Sequence, residues 1–444
     1  MTAPSLPALR LRVLDFGDLP RPLPGRSLAE VDPEIEEAVR SIIDEVRQGG
    51  DDALRRVTER FDGVTIGELR VSDGEIDAAY EVVDADFLPA LREAIDAVRT
   101  FHLAQTTIQE PLEVRPGVEA WRVWRPVRRV GLYVPGGRAR YPSTMVMLGV
   151  PAQAAGCVER VLVSPPGPDG AIPSETLVAA REVGITEVYR VGGAQAIGAL
   201  AYGTESIGPV DKIFGPGNAY VTSAKLEVFP RVAIDLPAGP SELLIIADES
   251  VDPAWVAADM LANAEHGPDS PVILISTSAA LLEAVEIEMR RQLASLPRAE
   301  IAATALAGAG WAVVAPDLDE ACCLADEFAP EHLELMVADP DALLGRIHNA
   351  GSVFLGPCSP NAAGDYATGT NHVLPTGGSA KAFGALSVAD FGRYMEVQRL
   401  SSDGMAKLGS VVAVLARAEG LEGHARAAEA RLGAPESDGR GQVE

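Results

Sequence analysis

Lysine is nearly missing from this chain. Only Lys212, Lys225, Lys381 and Lys407 occur in 444 residues, and arginine supplies the other cations. Together the 37 lysines and arginines face 64 aspartates and glutamates, a formal net charge of -27. Nucleic-acid binding needs a basic patch to neutralise phosphates, so this balance argues against such a partner. Cysteine is scarce too. Cys157, Cys322, Cys323 and Cys358 show no C-x2-C spacing, which argues against a zinc knuckle or a dithiol redox motif. Cys322 and Cys323 are neighbours in the apolar run 321–325, which favours buried thiols over a bridge. No apolar run approaches the ~20 residues that span a bilayer. The first residues lack the basic, apolar and small-residue order of a secretory leader. The expected location is the cytoplasm, with no membrane partner. What remains is a globular chain, 47% hydrophobic, long enough for two or three domains.

Residues 1–25 are proline-rich and read as an N-terminal arm. Asp32-Pro33 gives a helix start, and Ile35, Val39, Ile42, Ile43 and Val46 fall on one stripe before Gly49-Gly50. A second helix is expected near 86–105. From about 125 short apolar strands alternate with helices. The expected strands are 130–134, 161–164, 187–191, 212–214, 243–247, 272–276, 312–315, 334–337 and 353–355. Strand–helix alternation implies an α/β fold of doubly wound, mainly parallel sheets. Nine strands are many for one sheet, which predicts two α/β domains. A helical segment covers 386–432, and the polar tail 433–444 is expected to fray.

The densest chemistry lies in GDYATGTNHVLPT at 364–376, which sets Asp365 and His372 seven residues apart among glycine, threonine and proline. Such punctuation prevents a long helix or regular strand and reads as a site loop. Asp252-Pro253 opens a helix ending at NAEHGPDS, 263–270. Asn263 and His266 are three apart and share a face of its last turn: either they bind one metal, or His266 simply caps the helix. In APEHLE, 329–334, Glu331 beside His332 is either a base pair, the acid for water and the imidazole for an alcohol, or a surface acid beside a satisfied histidine. EGLEGH, 419–424, matters only if that helix end reaches another site. Glycine-rich turns at 131–137, 192–193 and 215–217 let backbone amides approach a ligand, with Asn218 able to cap a helix facing a phosphate, or they are tight structural turns. DLPAGPSE, 235–242, is a rigid turn presenting the Ser241 hydroxyl. Two imidazoles, a carboxylate and an amide suit a divalent ion such as zinc.

The ordered motifs GLYVPGG, VPAQAAGC, VGGAQAI, GPGNAYVTSAK, AGPSE, AEHGPDS, APEHLE and GDYATGTNHVLPTGG resemble the histidinol dehydrogenase family, over about 30–432. The resemblance implies two incomplete Rossmann-like domains with helical N- and C-terminal extensions. The first comprises 26–132 plus 241–385, the second, on the NAD side, 133–240, and 386–432 is a dimerisation segment. It implies a homodimer that oxidises L-histidinol through L-histidinal to L-histidine with zinc and two NAD. By resemblance the zinc ligands are His266, Asp365, His424 and the position of Asn263. Glu331 and His332 match the catalytic pair. Ser241, His372 and Glu419 match substrate positions, and Tyr133, Gln195 and Asn218 line the NAD site.

The chain departs from the family pattern at Asn263, where glutamine is usual. Asparagine is one methylene shorter, and zinc–oxygen bonds of ~2.0–2.2 Å cannot absorb a shortfall of roughly 1.5 Å without movement. The last helix also reads HARAAEAR, 424–431, where an Ala-Val pair is more typical. Such changes suit a relative acting on another amino alcohol or diol. A zinc hydrolase would use a similar ligand set, but has no use for glycine-rich nucleotide turns. Cys157 lies in an apolar run without an adjacent histidine and reads as packing.

Overall fold

The computed structural model describes residues 11–25, 32–106, 109–136, 140–236 and 239–432. Residues 1–10 of the expected arm, Val31, Gly137 and the tail 433–444 lie outside the described residues. A two-residue strand β1 (Val13–Leu14) is followed by helices α1 (Pro33–Asp62), α2 (Asp73–Tyr80) and α3 (Phe87–Leu103). Strands β2 (Leu112–Arg115) and β3 (Val118–Pro126) come next. An alternating stretch then runs β4 (Arg129–Tyr133), α4 (Pro142–Ala155), β5 (Glu159–Ser164), α5 (Ser174–Glu182), β6 (Glu187–Arg190), α6 (Gly193–Tyr202), β7 (Lys212–Phe214), α7 (Ala219–Val228) and β8 (Ala233–Ile234). A second one runs β9 (Leu243–Ala247), α8 (Pro253–Ala264), β10 (Val272–Ser276), α9 (Ala279–Leu293), α10 (Ala299–Gly308), β11 (Trp311–Val314), α11 (Leu318–Phe328), β12 (His332–Met336), α12 (Pro340–Leu344), β13 (Ser352–Leu355) and α13 (Asn361–Tyr366). The chain closes on β14 (Gly392–Leu400), α14 (Ser402–Ala418) and α15 (Glu422–Glu429).

These elements form two units, Met1–Gln105 with Val127–Phe391, and Thr106–Pro126 with Gly392–Glu444. The larger unit holds two parallel sheets, ordered β6-β5-β4-β7-β8 and β1-β11-β10-β9-β12-β13. In both, the alternating stretch starts at an inner strand, winds outward on one side, then returns to wind outward on the other, and β1 from the N-terminal segment adds to the edge beside β11. The order reverses between β4 and β7 and between β9 and β12, as in doubly wound folds.

The second sheet shows why its strands read as unbroken apolar runs. Both of its faces are covered, so successive side chains serve different cores. On β9, Leu243, Ile245 and Ala247 pack with Val256, Met260 and Val285. Leu244 and Ile246 turn to Trp311 and Phe328 on the other face. β12 follows the same alternation, with Leu333 and Leu335 in the second core. The opposite face of β12 carries two polar residues, His332 at 3% and Glu334 at 1% exposure.

Three local expectations change. The helix expected to end at Gly49-Gly50 continues to Asp62 through a kink at Gly50, whose φ is 52°. The Glu205 carboxylate accepts the Asp51 N–H there at 2.8 Å, restarting the helix as an external cap. The segment expected to be helical from 386 contains β14, paired antiparallel with β3 and joined by β2 in a three-stranded sheet of the smaller unit. All four cysteines are free, but Cys323 is exposed while Cys322 is buried, because α11 turns neighbouring residues to different faces.

Candidate active site

The amino ends of β9 and β12, adjacent strands of the six-stranded sheet, meet where Ser241-Glu242 and Glu331-His332 enter them. α11 ends at Ala329, the one non-glycine with positive φ (52°) among the described residues. Left-handed backbone there costs roughly 1–2 kcal/mol, and Pro330 follows to set the direction of Glu331. A binding crevice in such sheets usually opens at the carboxyl ends of strands. This cluster sits at the opposite edge.

Two glutamates exchange hydrogen bonds across that edge. The Glu242 N–H donates to Glu331 Oε2 at 2.8 Å, and the Glu331 N–H donates to Glu242 Oε2 at 3.3 Å. The Gly377 N–H donates to Glu242 Oε1 at 2.8 Å. The Ser241 hydroxyl lies 3.0 Å from Glu331 Oε2 and 3.3 Å from Asn263 Oδ1. Asn263 is fully buried, and its Nδ2 donates to the Pro271 carbonyl at 3.3 Å. It sits in the last turn of α8, which Asp252 caps at the other end by accepting the Ala254 N–H.

His332 Nδ1–H donates to the Glu242 carbonyl at 2.9 Å. That fixes the tautomer and leaves Nε2 as the reactive nitrogen. Nε2 faces Asp365 Oδ1 at 3.7 Å. His266 Nε2 stands 4.0 Å from Asp365 Oδ2, and His372 Nδ1 stands 4.0 Å from Oδ1. His372 Nδ1–H instead donates to the Asp365 carbonyl at 2.9 Å, and its Nε2 lies 3.4 Å from Thr144 Oγ1. Burial opposes charge on His332, yet the Glu331 and Asp365 carboxylates overcome it and hold the imidazolium well above its ordinary range. Burial pushes Asp365 up, but His332, His372 and His266 outweigh it and leave the carboxyl lowered. His372 goes down, because burial dominates. Glu242 is pushed up to about 7, by burial and then by the Glu331 carboxylate.

The site thus gathers Ser241, Asn263, His266, Glu331, His332, Asp365 and His372. Sequence reasoning passed over Glu242, although a charge opening a wholly apolar strand was a usable signal. Glu419 and His424 belong to the smaller unit, where Glu419 caps α14, His424 lies on α15 and both are exposed.

Farther along β12, Glu334 lies beside Asp259 of α8, and its Oε1 accepts the Asn361 N–H at 2.7 Å. Burial pushes Asp259 from 3.8 to about 6. The folded state therefore binds protons more tightly than the unfolded one, and this group costs stability as pH climbs through that window. Asp259→Asn should gain melting temperature relative to the parent as pH rises from about 4 to about 6, read by paired thermal melts. A pH-independent difference would show that Asp259 does not titrate there.

The donor set fits a divalent cation. The Asp365 carboxylate is largely buried, and His266 Nε2 stands 4.0 Å from its Oδ2. That gap exceeds a direct hydrogen bond, which ends near ~3.2 Å, and leaves room for an ion between them. Among the described residues no group of three His, Cys, Asp or Glu side chains yet stands in metal-holding geometry. The five-stranded sheet suits a dinucleotide. The carboxyl ends of β4 and β7 flank its order reversal, and α7 starts there with Asn218 capping Val221 N–H at 3.1 Å. The Tyr133 hydroxyl accepts the Gly193 N–H at 3.2 Å, and burial pushes its pKa up to about 12. Gln195 is buried and Asn218 exposed. The glycines themselves answer to packing. A Cβ on Gly215 would meet the Tyr133 carbonyl oxygen at 2.0 Å, and one on Gly192 would meet the Pro165 side chain at 2.4 Å.

No described helix is long and apolar enough to cross a membrane. The family model for histidinol dehydrogenase matches residues 26–432. A histidinol dehydrogenase of Xanthomonas euvesicatoria is 48% identical over 410 residues, 92% of this chain and 95% of that protein. One from Xylella fastidiosa is 47% identical over 429 residues, 95% of this chain and 99% of that protein. The crystal structure of histidinol dehydrogenase from Elizabethkingia anophelis superposes with a TM-score of 0.91 at 38% identity, covering 95% of this chain and 98% of that one. Matches over nearly the whole length, at this identity and in the same fold, establish that the chain belongs to the histidinol dehydrogenase family of oxidoreductases.

Proposed function

We propose that the chain oxidises L-histidinol through L-histidinal to L-histidine, with zinc and two NAD, as a cytoplasmic homodimer in histidine biosynthesis. The observation that carries this reading is the buried pair Glu331 and His332, their carboxylate and imidazole 3.5 Å apart, with His332 Nε2 turned to Asp365. His266 and Asp365 would hold the zinc, with Asn263 and His424 completing the set. Bound zinc would anchor the substrate's amine and imidazole, and NAD would take up the hydride in each oxidation.

The chain's own residues handle the protons. In its neutral form His332 accepts the hydroxyl proton at Nε2 as the alcohol becomes an aldehyde, and the Glu331 and Asp365 carboxylates stabilise the imidazolium that forms. Glu331 then takes a proton from water adding to the aldehyde carbon, which gives the hydrate whose oxidation yields the carboxylate. The Cys157 thiol is no alternative trap, since burial pushes it up to about 11. Ser241, His372 and Glu419 would hold the substrate. Tyr133, Gln195 and Asn218 would line the NAD site. The exposed Val411, Val414 and Leu415 of α14 supply an apolar face that a second copy would cover. Purified protein given L-histidinol should form two NADH per histidine and stop when its zinc is chelated. Hydrolysis without NADH would remove the reading.

Asn263 favours a second reading, a related dehydrogenase of another amino alcohol or diol, since its short amide is already engaged by Ser241 and Pro271. A substrate panel separates the two. Asn263→Gln extends the amide by roughly 1.5 Å and should tighten zinc, while the added methylene in a closed site costs about 1–3 kcal/mol of stability. Chelator competition and a thermal melt read the two effects. Unchanged zinc affinity would take position 263 out of the ligand set.

A further inference from the structure

Glu242 makes five hydrogen bonds, and four of them go to the two catalytic candidates. Its N–H holds the Glu331 carboxylate at 2.8 Å, its own carboxylate holds the Glu331 N–H at 3.3 Å, and its carbonyl accepts the His332 N–H at 3.2 Å and Nδ1–H at 2.9 Å. The fifth ties its Oε1 to Gly377 N–H at 2.8 Å, in the chain that continues from Asp365 and His372. The side chain is 3% exposed, so water cannot replace these bonds. Parallel pairing of β9 with β12 brings the backbones together in register. It does not by itself fix where the Glu331 carboxylate points.

We propose that Glu242 is a positioning residue, whose carboxylate, by holding the Glu331 N–H and the Gly377 N–H, locks the backbone that carries Glu331 into one geometry and so sets the rate of oxidation rather than the capture of substrate. The proposal rests on the dehydrogenase reading above. Removing the carboxylate frees the Glu331 backbone and the 377 turn together. Displacement of about 1 Å at a reacting group costs roughly 10²-fold in rate. A role in holding zinc or substrate would act on affinity instead.

The test uses zinc-loaded, full-length protein. Glu242→Ala should lower kcat about 10²-fold, with bound zinc unchanged and KM for L-histidinol within about threefold. Glu242→Gln keeps an oxygen for one of the two amides and should recover part of that loss. The decisive measurement is the double variant Glu242→Ala with Glu331→Gln, assayed on L-histidinal. If Glu242 acts through Glu331, the double variant is no slower than Glu331→Gln alone. Losses that multiply, a kcat within threefold of the parent, or lost zinc would overturn the proposal. Should the alanine variant not fold, the glutamine variant takes its place in the double-variant comparison, where non-multiplying losses again support the proposal and multiplying losses overturn it. If the parent itself makes no NADH from L-histidinol, the functional reading has failed; an active parent with an indifferent Glu242 condemns only this inference.

Discussion

Replacing Glu331 by glutamine should stall the protein at the aldehyde. Glutamine is nearly isosteric, and its amide oxygen can still accept the Glu242 N–H that meets Oε2 at 2.8 Å in the parent. What vanishes is the group that takes a proton from water. Loss of a positioned general base costs about 10²–10⁴-fold, and that loss should fall on the second oxidation. The first oxidation depends on His332, whose imidazolium draws support from both Glu331 and Asp365. With one carboxylate neutralised it should slow by about tenfold, the size of one pKa unit of lost stabilisation. Single-turnover NADH formation from L-histidinol and from L-histidinal separates the steps. Equal losses on the two substrates would remove water activation from Glu331.

Parts of this geometry are plain in the sequence, for physical reasons. β7, β9 and β10 match their expected spans because buried parallel strands are mostly apolar on both faces, and proline, glycine, charged or small hydroxyl residues bound them sharply. Asp252-Pro253 announced α8 through cap chemistry that is local by nature. β14 escaped because GRYMEVQRL is mostly exposed and helix-tolerant; only pairing with β3 makes it a strand. The kink at Gly50 escaped for the same reason, since its cap is Glu205, 154 residues from Asp51. At the site, residue types pointed to Glu331, His332, Asp365 and His372, yet nothing local says that they gather at amino ends of strands. That follows from the order β10-β9-β12-β13, which no single segment encodes. Glu242 shows the limit best. Its neighbour Ser241 drew attention as a hydroxyl on a rigid turn, while the carboxylate next to it acts through backbone bonds to residues 89 and 135 positions away.

Asp365→Asn should strip the metal while sparing the cofactor. The substitution keeps size and one oxygen but removes the one carboxylate, among the described residues, that stands within 4.0 Å of His266, His332 and His372 at once. Zinc ligands must be anionic or lone-pair donors, and an amide is a far weaker one than a carboxylate. Zinc affinity should fall by at least about 10²-fold, read by metal content after dialysis and by indicator competition. NAD binding, followed by titration calorimetry, should hold, because β4, β7 and Asn218 belong to the other sheet. The asparagine also meets His332 Nε2, 3.7 Å from Oδ1 in the parent, so the first oxidation should fall even where zinc is forced in at high concentration. The two roles part experimentally. A variant that keeps its zinc but loses histidinol oxidation would leave Asp365 as the partner of His332 alone, and the ligand set would need another acid.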